Sequence, residues 1–296
     1  MPELPEVETV RRGLERTVVG KTIASVDVRV PKIFDVDVVT IDQQLVGATI
    51  MGAERRAKVL LVRLSNNWTL AIHLKMTGQL VFQSSDVASS QVAKDFAGGH
   101  PEKAYEQPLP HKHTHIIIQF TDGTTLYFND LRKFGWMRLV ASSEVASSKG
   151  INLDNYGPEP LSDEFTFDGF RSALAKRRIP IKTVLLDQKV VAGVGNIYAD
   201  EALFRAKIRP TRKTSALKPD EIERLFKAIP EVLKLGIDYG GTTFNAYRNV
   251  EGTKGAMREH LKVYGREGLP CTVCNTPIER IKLGQRSTHF CPRCQR

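Results

Sequence analysis

The 296-residue chain has only four cysteines, and all of them fall after residue 270. A disulfide framework spread through the fold is therefore excluded, and any cysteine chemistry must be local. No apolar run approaches the roughly 18 residues that a membrane span needs. The opening MPELPEVETVRRG lacks the apolar core of a secretory signal. Both features predict a soluble, cytoplasmic protein with no membrane partner. Internal repeats and low-complexity tracts are missing as well, which excludes a fibrous array. Acidic residues are in deficit: 33 Asp and Glu face 43 Lys and Arg, a formal net charge of +10. Such an imbalance says nothing about fold but favours a polyanionic partner, most often nucleic acid.

What is present divides the chain. Pro5 suits the first turn of a helix, and Val7, Val10, Leu14 and Val18 then recur at helical spacing until Gly20. From about Thr22 to Val140 the pattern changes to short β runs: TIASVDVRV, KVLLVRL, WTLAIHLKM, THIIIQF, TLYFND and WMRLV. Strands this short and numerous predict a sandwich or barrel. Residues 83–112, rich in Ser, Gly and Pro, read as a long surface loop, and residues 141–162 as a linker. Beyond them DEFTFDGFRSALAKR, PIKTVLLDQ, NIYADEALFRAKI and KPDEIERLFKAIPEVLKLGIDYG carry helical periodicity. Asn196, after the VAGVG turn, is the expected N-cap of its helix. Exposed N–H groups there suit a phosphate.

Cys271-x2-Cys274, sixteen residues, then Cys291-x2-Cys294 is the strongest motif. Two CxxC knuckles offer four thiolates to one tetrahedral ion, which suits a structural zinc ribbon. Disulfides and unrelated thiols are the competing readings, and cytosolic context weighs against the former. From Arg258 to Arg296 eight Lys and Arg face three Glu, so half of the net charge sits in the last eighth of the chain. A basic metal-stapled module of this kind suits nucleic acid. The opening PELPEVE is a different matter. By composition alone its glutamates read as helix-dipole residues in a first turn.

The blocks MPELPEVETVRRGLE, RRAKVLLV, HLKMTGQL, LRKFGW, NYGPEPLS, VAGVGNIYADEALF, GGTTF, VYGREGLPC and TPIERIKLGQRSTHFCPRCQ run in order from end to end. Together they resemble the formamidopyrimidine-DNA glycosylase family. The resemblance implies an α+β, multidomain protein. An N-terminal catalytic β-sandwich with an N-terminal helix (1–150) would precede a helix–two-turn–helix DNA-binding domain (151–261) and a zinc finger (262–296). It implies a monomer acting on damaged double-stranded DNA. One structural zinc would be held by Cys271, Cys274, Cys291 and Cys294, with no small-molecule cofactor.

The resemblance also implies the chemistry. The nucleophile would be the secondary amine of Pro2 once Met1 is removed. Physics favours an amine at this place: an ordinary α-amino group titrates at about 7.7–8 and lysine at about 10.4, so the terminal amine is far more often neutral at pH 7. Its attack on the sugar C1′ expels the base and leaves a Schiff base. Glu3 would protonate the ring oxygen, and Glu6 would stand beside the amine. Lys58 would contact phosphate and serve the first strand-cleaving elimination; Arg286 would serve the second and grip flanking phosphates. Met76, Arg132 and Phe134 would fill the gap left by the flipped base, with Arg132 facing the orphaned cytosine. His73, His113, Arg177 and Asn196 would complete the DNA contacts.

His111, His113 and His115 have strand period, so a metal site is a minor alternative. The 83–112 loop is longer than the family's, and the loop from Thr242 to Gly255 matches only loosely. The related endonuclease VIII type, which prefers oxidised pyrimidines, usually begins PEGPE and lacks LRKFG. A non-catalytic zinc-ribbon DNA binder would not keep Pro2, Glu3, Lys58 and Arg286.

Overall fold

A computed structural model describes residues 2–34, 36–84, 94–100, 102–242 and 257–296. They divide into two compact units. One runs to Asp154 and resumes at Gly240; the other comprises Asn155–Tyr239 and the described remainder to Arg296. No helix among the described residues is long and apolar enough to cross a membrane.

The first unit opens with α1 (Leu4–Thr17), which buries Val7, Val10 and Leu14 on one face, as the 3.6-residue spacing requires. Its strands are β1 (Ile23–Val28), β2 (Ile50–Arg56), β3 (Val59–Leu64), β4 (Trp68–His73), β5 (Gly78–Gln83), β6 (Lys94–Gly99), β7 (Thr114–Phe120), β8 (Thr125–Asp130) and β9 (Trp136–Ala141). They form two antiparallel sheets, β1-β7-β8-β5-β6 and β2-β3-β4-β9. Alternate residues of each face one shared core: Leu60, Val62 and Leu64 from β3, Leu70 and Ile72 from β4, and Ile116, Ile118 and Phe120 from β7. Period-two patterning thus builds a sandwich. Ile117 points the other way and packs with Val81 and Tyr127.

Several elements differ from expectation. β2, β5 and a short helix α2 (Val38–Gln44) were not legible, because IMGAERR and GQLVFQ lack clean alternation. The supposed surface loop 83–112 contains β6, which pairs with β5, and a turn at Lys103–Tyr105 whose tyrosine is buried. Phe96 of β6 lies against α1 at Gly13, where a Cβ would approach its ring to 1.9 Å. Composition hid this strand because Phe96 is the one large apolar residue in KDFAGG, set in a run rich in Ser, Gly and Pro. The 141–162 linker likewise buries Ile151 and Leu153 and contains short turns at Ser142–Glu144 and Leu153–Asn155.

The second unit holds α3 (Phe167–Ala175), α4 (Ile181–Leu185), α5 (Asn196–Arg205), α6 (Pro219–Asp238), α7 (Met257–His260) and the hairpin β10 (Glu279–Leu283) with β11 (Arg286–Phe290). Phe165, Phe170 and Phe226 cluster with ring centroids 4.8–6.1 Å apart, joining α3 to α6. Asn196 is not an N-cap: Gly195 holds that position, and Asn196 is the first helical residue. Its amide instead donates to the carbonyl of Ser287 at 3.0 Å.

Candidate active site and nucleic-acid interface

Pro2, Glu3 and Glu6 are all buried at the start of α1. Glu3 is the extended residue before the helix, with φ −102° and ψ −170°. Glu6 closes the turn by accepting the Glu3 backbone N–H at 2.9 Å, so one of the orphan donors of the helix start is satisfied by a carboxylate. The same carboxylate accepts the N–H of Thr242 at 2.8 Å and its hydroxyl at 3.1 Å. Residues 236 positions apart therefore define one acidic pocket.

Gly241 is what lets that segment approach. Its φ is +80°, and a Cβ there would stand 2.9 Å from the Glu6 side chain. Gly20 has a similar φ of +84° with nothing within 4 Å. Replacing either by alanine incurs the same backbone strain, about 1 kcal/mol or a little more. Only Gly241→Ala also displaces Glu6. We expect Gly241→Ala to lower turnover of a DNA substrate at least about tenfold, with Gly20→Ala near wild type. Equal rates for the two variants would show that the Glu6 contact has no functional weight.

Lys58 lies in the two-residue turn between β2 and β3, where Arg56 pairs with Val59, and it is mostly buried. His73, at the end of β4, is buried too. Burial and the nearby charges of Lys75 and Lys58 push its pKa down to about 3. It is therefore neutral at physiological pH. Its Nδ1 accepts the Lys75 N–H at 2.9 Å, which leaves Nε2 as the donor. A neutral donor beside two lysines suits a phosphate oxygen.

Two tight turns stand next to each other in the first unit, Leu74–Thr77 and Leu131–Gly135. Phe134 is 52% exposed, an unusual state for a large aromatic side chain. The Arg132 guanidinium lies 4.7 Å from its ring centroid. Met76 is half-buried. Lys75 and Lys133, each preceding its turn's apolar residue, have φ of +50° and +56°, strained values for non-glycine residues. His113 is half-buried, with its ring edge-on to Tyr105 at 6.3 Å. His115 instead bonds the Asp130 carbonyl through Nε2 at 2.7 Å. Among the described residues the histidines form no metal-ligating group.

The four cysteines do form one. Their sulfur atoms lie within 4.8 Å of one another, with Cys274–Cys291 at 3.4 Å and Cys271–Cys294 at 3.9 Å. Zinc–sulfur bonds of about 2.3 Å in a tetrahedron place sulfurs about 3.8 Å apart, so the donor set fits one structural zinc. Backbone N–H groups of Val273 and Cys294 point at Cys271 and Cys291 sulfurs, as a thiolate cluster requires.

Arg286 is exposed at the start of β11, after a tight turn at Gly284 with φ +58°. Its neighbour Ser287 is gripped from beneath. Lys182 and Asp200 form a fully buried ion pair at 2.7 Å. Lys182 also donates to the Ser287 carbonyl at 2.8 Å and the Thr288 hydroxyl at 2.9 Å, and Asp200 accepts the His289 N–H at 2.9 Å. Glu201 accepts the N–H groups of Lys262, Val263 and Tyr264. Sequence reading missed all three residues; their only trace is charge within otherwise apolar helical stretches. Arg177, by contrast, is engaged with Asp187 at 3.0 Å and with the Ala173 carbonyl.

Family models match almost the whole chain in three blocks: the formamidopyrimidine-DNA glycosylase N-terminal domain at residues 1–137, the H2TH domain of the same proteins at 156–248, and the zinc finger found in FPG and IleRS at 268–296. The formamidopyrimidine-DNA glycosylase of Enterococcus faecalis is 46% identical over 100% of this chain and 97% of its own length. That of Herpetosiphon aurantiacus is 44% identical over the whole of both. Among solved structures, the Lactococcus lactis enzyme bound to DNA containing an AP site matches with a TM-score of 0.83 at 35% identity, covering 99% of each chain. The same enzyme with DNA containing an N7-benzyl-Fapy-dG matches at 0.85 and 35%, covering 100% of each.

Proposed function

The chain belongs to the formamidopyrimidine-DNA glycosylase family, and from that premise we propose that it excises oxidised purines from duplex DNA and then cleaves the strand. The observation that carries the reading is the buried pair Glu3 and Glu6 around the N-terminal turn, next to Pro2. In this reading the free Pro2 amine attacks C1′ of the damaged nucleotide. The C1′–N bond breaks and its electron pair leaves with the base, which takes up the proton released by the amine; when the C1′–O4′ bond then opens, an iminium (protonated Schiff base) links protein and sugar. Glu3 supplies a proton to the ring oxygen, so that the sugar opens. Glu6, already committed to the Glu3 and Thr242 N–H groups, holds the turn in register.

Lys58 and Arg286 serve the two eliminations, and His73, His113, Arg177 and Asn196 steady the backbone. Met76, Arg132 and Phe134 fill the vacated stack. The zinc site keeps the Arg286 hairpin folded and takes no part in the reaction. Residues 1–150 carry the chemistry, 151–261 and 262–296 hold the DNA, and a monomer acting in the cytoplasm suffices.

The test is excision from duplexes carrying 8-oxoguanine, a formamidopyrimidine or an oxidised pyrimidine, with borohydride trapping of the imine. Preference for the purine lesions, with covalent trapping, is expected. A preference for the pyrimidine, or no trapped adduct, would sink the reading. The partner base should matter through Arg132. Cytosine offers O2 and N3 acceptors to a guanidinium, whereas adenine presents a donor on its pairing edge. A mismatch of this kind typically costs about 1–3 kcal/mol, or roughly 5- to 150-fold. Excision should therefore be faster opposite cytosine, with the ratio shrinking in Arg132→Ala. An unchanged ratio in that variant would remove Arg132 from the orphan-base gap.

A further inference from the structure

We propose that Tyr105 is a positioning residue for the gap-filling turns: its hydroxyl joins the Met76 turn to the Leu131–Gly135 turn and thereby sets where Arg132 stands. The inference rests on the reading of Met76, Arg132 and Phe134 as the wedge. Tyr105 lies in the 83–112 segment, which composition marked only as a surface loop. Its ring is buried and stacked on His111, with centroids 5.6 Å apart and planes 4° from parallel. Its hydroxyl donates to the Thr77 carbonyl at 2.6 Å and accepts the Leu131 N–H at 2.7 Å. Thr77 directly follows Met76, and Leu131 directly precedes Arg132. One phenol oxygen therefore links the backbones of both turns.

A second layer lies beneath it. The Thr77 hydroxyl donates to the fully buried Asp130 carboxylate and accepts the Arg132 N–H at 3.1 Å. Asp130 also accepts the N–H groups of Arg132 at 3.2 Å and Gly135 at 2.6 Å. The amides of Leu131, Arg132 and Gly135 are thus held by side chains from three separate parts of the chain. Such over-determination is what turns with non-glycine residues at positive φ need, and Lys75 and Lys133 are both of that kind. Burial raises the Tyr105 pKa well above the ordinary phenol value, so the O–H stays protonated and both of its bonds persist across the working pH range.

Tyr105→Phe removes the hydroxyl and keeps the stacked ring. In the full-length protein we expect single-turnover excision of 8-oxoguanine opposite cytosine to fall about tenfold, the usual scale for orphaning buried backbone partners. Excision opposite adenine should fall less, so the cytosine-to-adenine ratio narrows. Imine trapping on a pre-formed abasic site, which requires no base to be expelled, and the Tm should stay near wild type. A residue that merely supports the fold would lower all four quantities together, and that outcome overturns the proposal, as does an unchanged rate and ratio. If Tyr105→Phe fails to fold, Thr77→Val and Thr77→Ser decide. The valine variant should narrow the ratio and the serine variant should restore it; equal ratios in both overturn the proposal. A wild-type protein that shows no excision or no partner preference refutes the wedge reading instead, and this inference with it.

Discussion

A chain that keeps Met1, or any uncleaved N-terminal tag, is expected to release no base and trap no covalent adduct, while still binding DNA. With Met1 attached, the Pro2 nitrogen is an amide whose lone pair is delocalised into the adjoining carbonyl. It can neither attack a sugar carbon nor form an imine. Once freed, it becomes a secondary amine, and α-amino groups as a class titrate at about 7.7–8, far below lysine at about 10.4, which leaves a useful neutral fraction at pH 7. Pro2 is itself buried beside Glu3 and Glu6. The residues proposed to contact phosphate lie elsewhere in the sequence, so affinity should survive. The check pairs intact-mass measurement with excision and trapping assays on the same preparation. Normal activity from a protein shown to retain Met1 would end the amine mechanism.

Removing zinc is expected to abolish tight DNA binding, with a loss of at least about 100-fold, while the first unit stays folded. The cysteine segment has only a small apolar core: Val263, Cys271, Ile278 and Cys291 form one buried cluster with Phe204 packed against it, and Phe290 is buried as well. A segment this small rarely folds without a metal or disulfides. Structural zinc in finger peptides contributes about 10–16 kcal/mol. Four thiols drawn within 4.8 Å without a cation repel as they ionise. The hairpin that carries Arg286 would then lose one of its two anchors, keeping only the grip of Lys182, Asp200 and Asn196 on residues 287–289. Cys271→Ser should reproduce the effect with the metal content measured directly. The sandwich core of Leu60, Ile72, Ile116 and their neighbours is separate and should melt as before. Full affinity from a metal-free protein would refute the assignment.

Much of this was legible in the linear chain because the signals are local. A CxxC pair repeated at ribbon spacing needs no tertiary knowledge to suggest zinc, and the four sulfurs converge as that spacing implies. Helical periodicity located α1, α3, α5 and α6, since one stripe of apolar residues must face a core. Short β-rich runs bounded by turn signals located β1, β3, β4, β7, β8 and β9. The segments that were missed carry no such pattern. β6 is a strand because Phe96 fits against Gly13 and β5 offers a free edge, neither of which is written in KDFAGG.

The amino-acid sequence by itself determined the family, the metal ligands and the candidate nucleophile, because each depends on residue identity and short spacing. Only the tertiary structure decided that Gly241 and Thr242 complete the Glu6 pocket. It alone paired buried Lys182 with Asp200 beneath the Arg286 hairpin, and brought Tyr105 to the joint between the two adjacent turns. Those contacts join residues up to 236 positions apart. They arise because a buried polar group must find a partner wherever the folded chain brings one within about 3 Å, and no local pattern encodes which partner that will be.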